Sequence, residues 1–311
     1  MEKNTAQTPI VQSLTVSALA SLYLNNVPIA KNSTVLTRLT WFTTYYGNRI
    51  AHELTGEDVE DMLVYLEENS PSGNPLANST INRYRSTLQA LLTYGRRRRL
   101  FPRGWSNPVS DTEKRPESQG RTRFLSNDEF DKLMSMARLS RWKKLPLIIR
   151  LAMTTGARRG NLMELKWGDI DMERCEIKLG KTKNGSPHIC VITDAALAEL
   201  KRFRRGKEDE LVFNSARMPH RPFCFNKAFK QALKDAGIEG VVFHSLRHSH
   251  ASHLAQSGAS LLEIAESLNH KTMSMVQRYA HLNTENRAQM IRKVFAWAKI
   301  KSQISSLQKS C

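Results

Sequence analysis

The chain has 311 residues, 40% hydrophobic and 24% charged, which suits a globular protein long enough for two ordinary domains with a core in each. Its 47 Lys and Arg against 29 Asp and Glu give a formal charge of +18, so a polyanionic partner is expected, nucleic acid ahead of a membrane surface. No apolar run approaches the roughly 20 residues that cross a bilayer, the start MEKNTAQTPIVQ lacks a secretory pattern, and Cys175, Cys190, Cys224 and Cys311 offer neither a disulfide framework nor zinc-ligand spacing; a cytoplasmic protein is expected.

Residues 1–12 read as a disordered lead. Apolar residues then recur at three- and four-residue spacing over Leu14 to Val27, Ser33 to Tyr46, Glu57 to Asn69 and Ser79 to Gly95. Pro28, Gly47 and the stretch SPSGNPLANS separate them. This predicts an N-terminal domain of four helices over residues 13–105. The fourth helix carries Arg83 and Arg85 near its start and Arg96, Arg97, Arg98 and Arg99 at its end. Cations suit a helix C-terminus, but arginine forks also match phosphate oxygens, and with the overall charge these six are read as nucleic-acid contacts. Residues 106–123 show no apolar period and are rich in Pro, Ser, Gly and charge, so a linker is expected there.

The second domain, residues 124–311, opens on a capping box with Ser126 as N-cap and Glu129 at N3. A more apolar, central helix is predicted over Leu145 to Thr155, and a third begins near Arg158. Then CEIKLG, the turn TKNG and HICVIT predict a hairpin beside a short strand at Asp169 to Asp171, with Asn184-Gly185 as the turn signal. Helices return from Asp194, Pro222, His244 and Ser260, the last with a second capping box to Glu263, and two more end near Lys299. The fold class is therefore mainly α, an α+β chain: a four-helix domain followed by a mostly helical domain with a small antiparallel sheet.

HSLRHSHASH, His244 to His253, concentrates four of the nine histidines. His244 and His248 are four apart, a spacing that puts two imidazoles on one helical face, as a metal site would use. Zinc wants three or four converging ligands and supporting carboxylates, yet no Asp or Glu occurs between Glu239 and Glu263 and Arg247 would repel a cation. His244 and Arg247 are three apart and share a face just after a loop at Gly240. Arginine supplies a permanently charged fork, histidine a mobile proton, and helix N-termini favour anions, so a phosphate is the better ligand and no metal or cofactor is expected. An H-x-x-R pair alone carries little weight.

The pair is not alone. TTGARRGNLMELKWGDID places Arg158 after a Gly turn, KTKNG places Lys183 at a hairpin tip, LNHKT places His270 at the end of a capped helix, and QRYAH places Tyr279 nine residues later. This ordered set resembles the tyrosine recombinases, or phage integrases, over nearly the whole chain. HSLRHSHASHLAQSGASLLEIAESLNHKTMSMVQRYAH in particular is similar to the family's C-terminal half. The resemblance implies a site-specific recombinase of the phage or mobile-element type that cuts and rejoins double-stranded DNA through a 3′-phosphotyrosine. It implies that Tyr279 is the nucleophile and that Arg158 and Arg247 hold the non-bridging oxygens. Lys183 would protonate the departing 5′-oxygen, with Lys181 as the alternative; His244 would serve the tyrosine proton as acid and base; His270 would meet a phosphate oxygen. It further implies a core-type DNA-binding role for the helical domain, a clamp around DNA, and a homo-tetramer on paired sites from a free monomer or dimer. The dozen residues of the lead are expected to be too short for the arm-binding domain of some phage integrases. His248, His250 and His253 are expected to pack, to support the residues that contact the phosphate, or to lie at the surface of that helix. The segment NTENRAQMIRKVFAWAK is amphipathic and packs either on its own domain or on a neighbouring protomer. Two departures stand out: Asn161 replaces a Glu common in the family, and Asn269 replaces a Gly. Asn is next best for a left-handed helix end, so that turn is expected to persist. Asn161 keeps open a decayed integrase that only binds DNA; a metal-dependent nuclease is the third reading.

Overall fold

The computed structural model describes residues 13–28, 33–69, 73, 75–117, 123–180, 188–203, 205–270 and 272–295. The chain divides into two compact units, Met1–Gly120 and Arg121–Cys311. The expected lead, residues 1–12, lies outside the described residues.

The first unit holds α1 (Val16–Asn26), α2 (Ser33–Tyr45), α3 (Gly56–Glu68) and α4 (Asn78–Arg97). Thr15 caps α1 and a Thr55–Asp58 capping box starts α3, satisfying amide groups that a helix start leaves open. Leu19, Leu39, Phe42, Met62, Leu63, Leu66, Leu88, Leu91 and Leu92 are fully buried in one core. Much of the segment expected as linker is folded onto this unit. Val109 is fully buried in the core. Asn107 Nδ2 donates to Gln89 O and Thr93 Oγ1, both at 3.0 Å. Asn82 and Arg115 exchange hydrogen bonds of 2.8 Å. A strap held by polar side chains leaves no apolar period in the sequence.

Arg85 corrects the sequence reading. It is 6% exposed, and its guanidinium donates to Val109 O and Thr112 O, both at 2.6 Å, and to Thr112 Oγ1 at 2.9 Å. Its phase explains this: Ile81, Arg85, Leu88 and Leu92 form one buried stripe at helical spacing. Arg85 anchors the strap and is not available to DNA. Arg83 and Arg96 to Arg99 are exposed.

The second unit comprises α5 (Asn127–Arg138), α6 (Leu145–Thr155), α7 (Arg159–Met163), β1 (Ile170–Asp171), β2 (Glu176–Leu179), β3 (His188–Val191), α8 (Asp194–Lys201), α9 (Asn226–Asp235), α10 (Ser245–Gln256), α11 (Leu261–Ser267) and α12 (Thr284–Val294). Both expected capping boxes, Ser126–Glu129 and Ser260–Glu263, are formed. The strands make an antiparallel sheet in the order β1-β2-β3, with Ile177 opposite Ile170 and Cys190. All three side chains are buried, as the two-residue period of a half-buried sheet requires. The helix expected from Pro222 starts at Asn226, because Pro222 bridges Asn214 and Phe223 N donates to Phe213 O at 2.8 Å. Two 3-10 segments, Met273–Met275 and Gln277–Asn283, precede α12. Met290, Ile291, Val294 and Phe295 of the α12 region are each more than half exposed.

Candidate active site

Three helix ends meet around Gly156. It caps α6 at φ +61, in the left-handed region, and a Cβ there would sit 2.6 Å from His250 Cδ2 and 2.7 Å from Leu268 Cδ2. Both facts require glycine. The chain then reverses to Arg158, the N-cap of α7.

Helix α10 is polar in sequence, yet Ser245, Leu246, Arg247, Ser249, His250, Ala251, Ser252 and Ala255 are buried, on nearly every side. Small residues let its neighbours approach, and its polar groups find partners. Leu125 N donates to Ser249 Oγ at 2.8 Å, and His253 Nε2 donates to Leu125 O at 2.9 Å. His250 Nδ1 donates to Met153 O at 3.0 Å and its Nε2 accepts from Ser267 Oγ at 2.7 Å. Burial holds the His250 pKa down to about 4, so the ring is a neutral packing residue.

Arg247 is 5% exposed. It donates to Gly156 O at 2.5 Å and to Leu268 O at 2.6 Å. These are the C-caps of α6 and α11, the negative ends of two helices, so the cation is partly offset by backbone dipoles. Burial and the Arg158 charge lower its pKa to about 10, and it stays protonated at neutral pH. The end of α11 is a Schellman turn: Asn269 has φ +49, His270 N donates to Ala265 O and Asn269 N to Glu266 O, both at 2.9 Å. Asn269 thus fills the place expected of a glycine and delivers His270.

Tyr279 lies in the second 3-10 segment, 4% exposed, packed with Ala251, Ala255, Ile264, Ala265, Leu268 and Val276. Its Oη is 2.6 Å from His248 Nδ1. The His244 ring meets His248 edge to face at 4.9 Å. His248, expected to pack, to support the phosphate-contacting residues or to lie at the surface, is the residue on the tyrosine hydroxyl, a contact expected of His244. The i,i+4 spacing of His244 and His248 puts the two rings in contact on one face, and His248 reaches Tyr279.

The charges around this cluster have one sign. Burial first, then Arg247, Arg158 and Arg278, hold His244 and His270 below the usual histidine range, His270 at about 4. His248 is also held at about 4, by burial and by His244, Arg278 and Arg247. His188 is lowered by burial and, despite donating to Ser267 O at 3.1 Å, by Arg247 and Arg158. Burial raises the Tyr279 phenol, against the pull of Arg278 and Arg247. The site thus gathers Arg158, His244, Arg247, His270 and Tyr279, and adds His248, Arg278 and His188. His270 Nδ1 is buried without a partner among the described residues. Several cations with neutral imidazoles between them form a receptor for an anion. Among the described residues no group of three His, Cys, Asp or Glu could hold a metal. Lys183 and Lys181 lie outside the described residues. Asn161 lines a cleft with Glu164, Lys166, Asp169 and Leu179.

The chain is similar to several known proteins. The chain is 28% identical over 309 residues to the shufflon-specific DNA recombinase of Escherichia coli, covering 93% of this chain and 76% of that one. It is 31% identical to the integrase of Salmonella phage P22, covering 52% of this chain and 44% of the relative. In fold it is similar to the Tn1549 transposon integrase in complex with transposon right-end DNA, with a TM-score of 0.73, 17% identity, and coverage of 90% of this chain and 99% of that one. The model of the phage integrase family matches residues 123–286, over half of the chain and the whole cluster from Arg158 to Tyr279, and by this match the chain belongs to the phage integrase family of tyrosine recombinases.

Proposed function

We propose that the chain is a site-specific recombinase that cuts and rejoins double-stranded DNA through a 3′-phosphotyrosine at Tyr279. The observation that carries this is a tyrosine hydroxyl held by an imidazole, Tyr279 on His248, inside a cluster of arginines whose uncompensated charge calls for a phosphate. Relatives named recombinase and integrase, and a structural neighbour held on DNA, support DNA as the partner.

In this reading a phosphodiester enters between Arg158 and Arg247, which bind its non-bridging oxygens. Arg247 is preorganised by its two backbone carbonyls, and a fixed donor aimed at developing charge contributes about 3–4 kcal/mol to the transition state. His270, with its open Nδ1, and His244 bind the same phosphate. Tyr279 Oη attacks phosphorus in line; the bond to the 5′-oxygen breaks, and Lys183 returns a proton to it. The phosphotyrosine conserves the bond, so rejoining needs no nucleotide cofactor. Residues 124–311 form the catalytic part, and the helical domain of residues 13–105 adds a DNA surface through Arg83 and Arg96 to Arg99. Two recombination sites require four active sites, so the working form is a tetramer, acting in the cytoplasm of a bacterial or phage host. Among the described residues no helix is long and apolar enough to cross a membrane.

A nicked suicide duplex carrying a site recovered by binding selection tests this, with EDTA present. A covalent adduct in the native protein that vanishes in Tyr279→Phe is expected. Tight binding without an adduct would favour a DNA-binding protein that has lost catalysis. Cleavage that requires a metal and leaves no adduct would favour a nuclease.

A further inference from the structure

The reaction above leaves open where the tyrosine proton goes. We propose that His248 is the base that takes it, through Nδ1, as Tyr279 attacks. This rests on the recombinase reading of the same site.

The geometry distinguishes the three histidines of α10 and His244 at its N-cap. His248 Nδ1 is 2.6 Å from Tyr279 Oη, within reach for direct proton transfer. His250 has both ring nitrogens engaged, by Met153 O and Ser267 Oγ. His253 is bonded to Leu125 O. His244 meets the edge of the His248 ring. The groups acting on His248 are His244 at the α10 N-cap, Arg247 from α10 and Arg278 from the segment that carries Tyr279. All are cationic or neutral, and with burial they keep the resting imidazole uncharged. A neutral ring with hydrogen on Nε2 presents a lone pair at Nδ1 to the phenolic O–H. The entering phosphate brings the missing negative charge, which favours the protonated imidazole at the moment of attack.

The step balances. The Tyr279 Oη–phosphorus bond forms while the phosphorus–5′-oxygen bond breaks. The phenolic proton moves to His248 Nδ1, giving an imidazolium, and a separate acid supplies the proton of the 5′-hydroxyl. Resealing runs the same steps backward, so the imidazolium returns its proton to the departing tyrosine.

Single-turnover cleavage of the nicked duplex by the full chain tests the assignment, using His248→Ala and His248→Asn. Asn keeps a polar atom near the Nδ1 position but cannot accept the proton. Both variants should form adduct about 10²-fold or more slowly, with DNA affinity unchanged. Added imidazole should restore part of the His248→Ala rate. Sulfur in place of the departing 5′-oxygen, which relieves a missing leaving-group acid, should restore neither. Native rates in either variant, or full rescue by the sulfur substrate, would overturn the assignment. The unmutated protein gives an answer that does not depend on how the variants fold. Nitrogen NMR of its imidazoles should show His248 protonated on Nε2 and bare on Nδ1 at neutral pH; a proton on Nδ1 overturns the proposal. If the native protein makes no adduct, or Tyr279→Phe still makes one, the recombinase reading itself falls; a native adduct with undiminished His248 variants removes this assignment only.

Discussion

Gly156→Ala is the sharpest structural perturbation, and Gly160→Ala, four residues on, is its control. At Gly156 the backbone sits at φ +61, which costs a residue with a Cβ about 1–2 kcal/mol. The new methyl would also lie 2.6 Å from His250 Cδ2 and 2.7 Å from Leu268 Cδ2. Neither neighbour is free to retreat: His250 is held at both nitrogens and Leu268 is 1% exposed. Overpacking of this kind costs about 1–3 kcal/mol. The stiffer unfolded chain returns about 0.4–1 kcal/mol, so the net loss is about 1–4.5 kcal/mol. For a unit of this size that lowers the midpoint by roughly 2–18 °C. At Gly160, inside α7, an added Cβ meets nothing within 4 Å, and the same change should gain about 0.4–1 kcal/mol. Calorimetry of the full chain reads both. Gly156→Ala should also slow adduct formation at temperatures where it is folded, because Gly156 O fixes Arg247. Equal melting temperatures for the two variants would refute this account of the junction.

Other outcomes follow from the same contacts. Arg85→Ala should destabilise the first unit by about 1–3 kcal/mol, since it leaves the Thr112 carbonyl without its donor, while Val109 O keeps the Thr112 hydroxyl. Arg83→Ala should leave the melting curve unchanged and reduce the slope of log affinity against log salt by about 0.9, one phosphate contact, in DNA titrations. The stability of the unliganded protein should depend on pH through its buried histidines. His250 titrates near 4 in the fold and near the ordinary ~6.5 when unfolded, so the unfolded chain takes up the proton first. Stability is complete above about pH 6.5 and falls toward pH 4, by on the order of 3 kcal/mol for this residue. Melting temperatures across pH 7.5 to 4.5 should decline on that side and flatten in His250→Gln; a midpoint that rises with acid would contradict the burial assigned to it.

Much of the fold could be read from the chain because its signals are local. Ser126 with Glu129, and Ser260 with Glu263, name their helix starts by spacing alone, and Asn269 announces a left-handed turn by residue type. Arg85 was misread because charge was counted without phase: the stripe of Ile81, Leu88 and Leu92 already pointed it inward. The strap of residues 107–117 was hidden because Asn107, Asn82 and Arg115 hold it with hydrogen bonds, which leave no apolar period. At the site, the ordered set from Arg158 to Tyr279 came from motif resemblance, while the role of His248 is a long-range fact. Its contact spans 31 positions, and only the packing of the 3-10 segment on α10 creates it. The two carbonyls that hold Arg247 are equally remote, 91 and 21 positions away.

The central claim is a covalent bond between one named side chain and DNA. Trapping the native protein on a nicked duplex, digesting both partners and mapping the nucleotide-bearing peptide by mass spectrometry tests it most directly. The account predicts a nucleotide joined through its 3′-phosphate to Tyr279, in the peptide YAHLNTENR or a fragment of it. A 5′-phosphate linkage, or a nucleotide on any other residue, would contradict it.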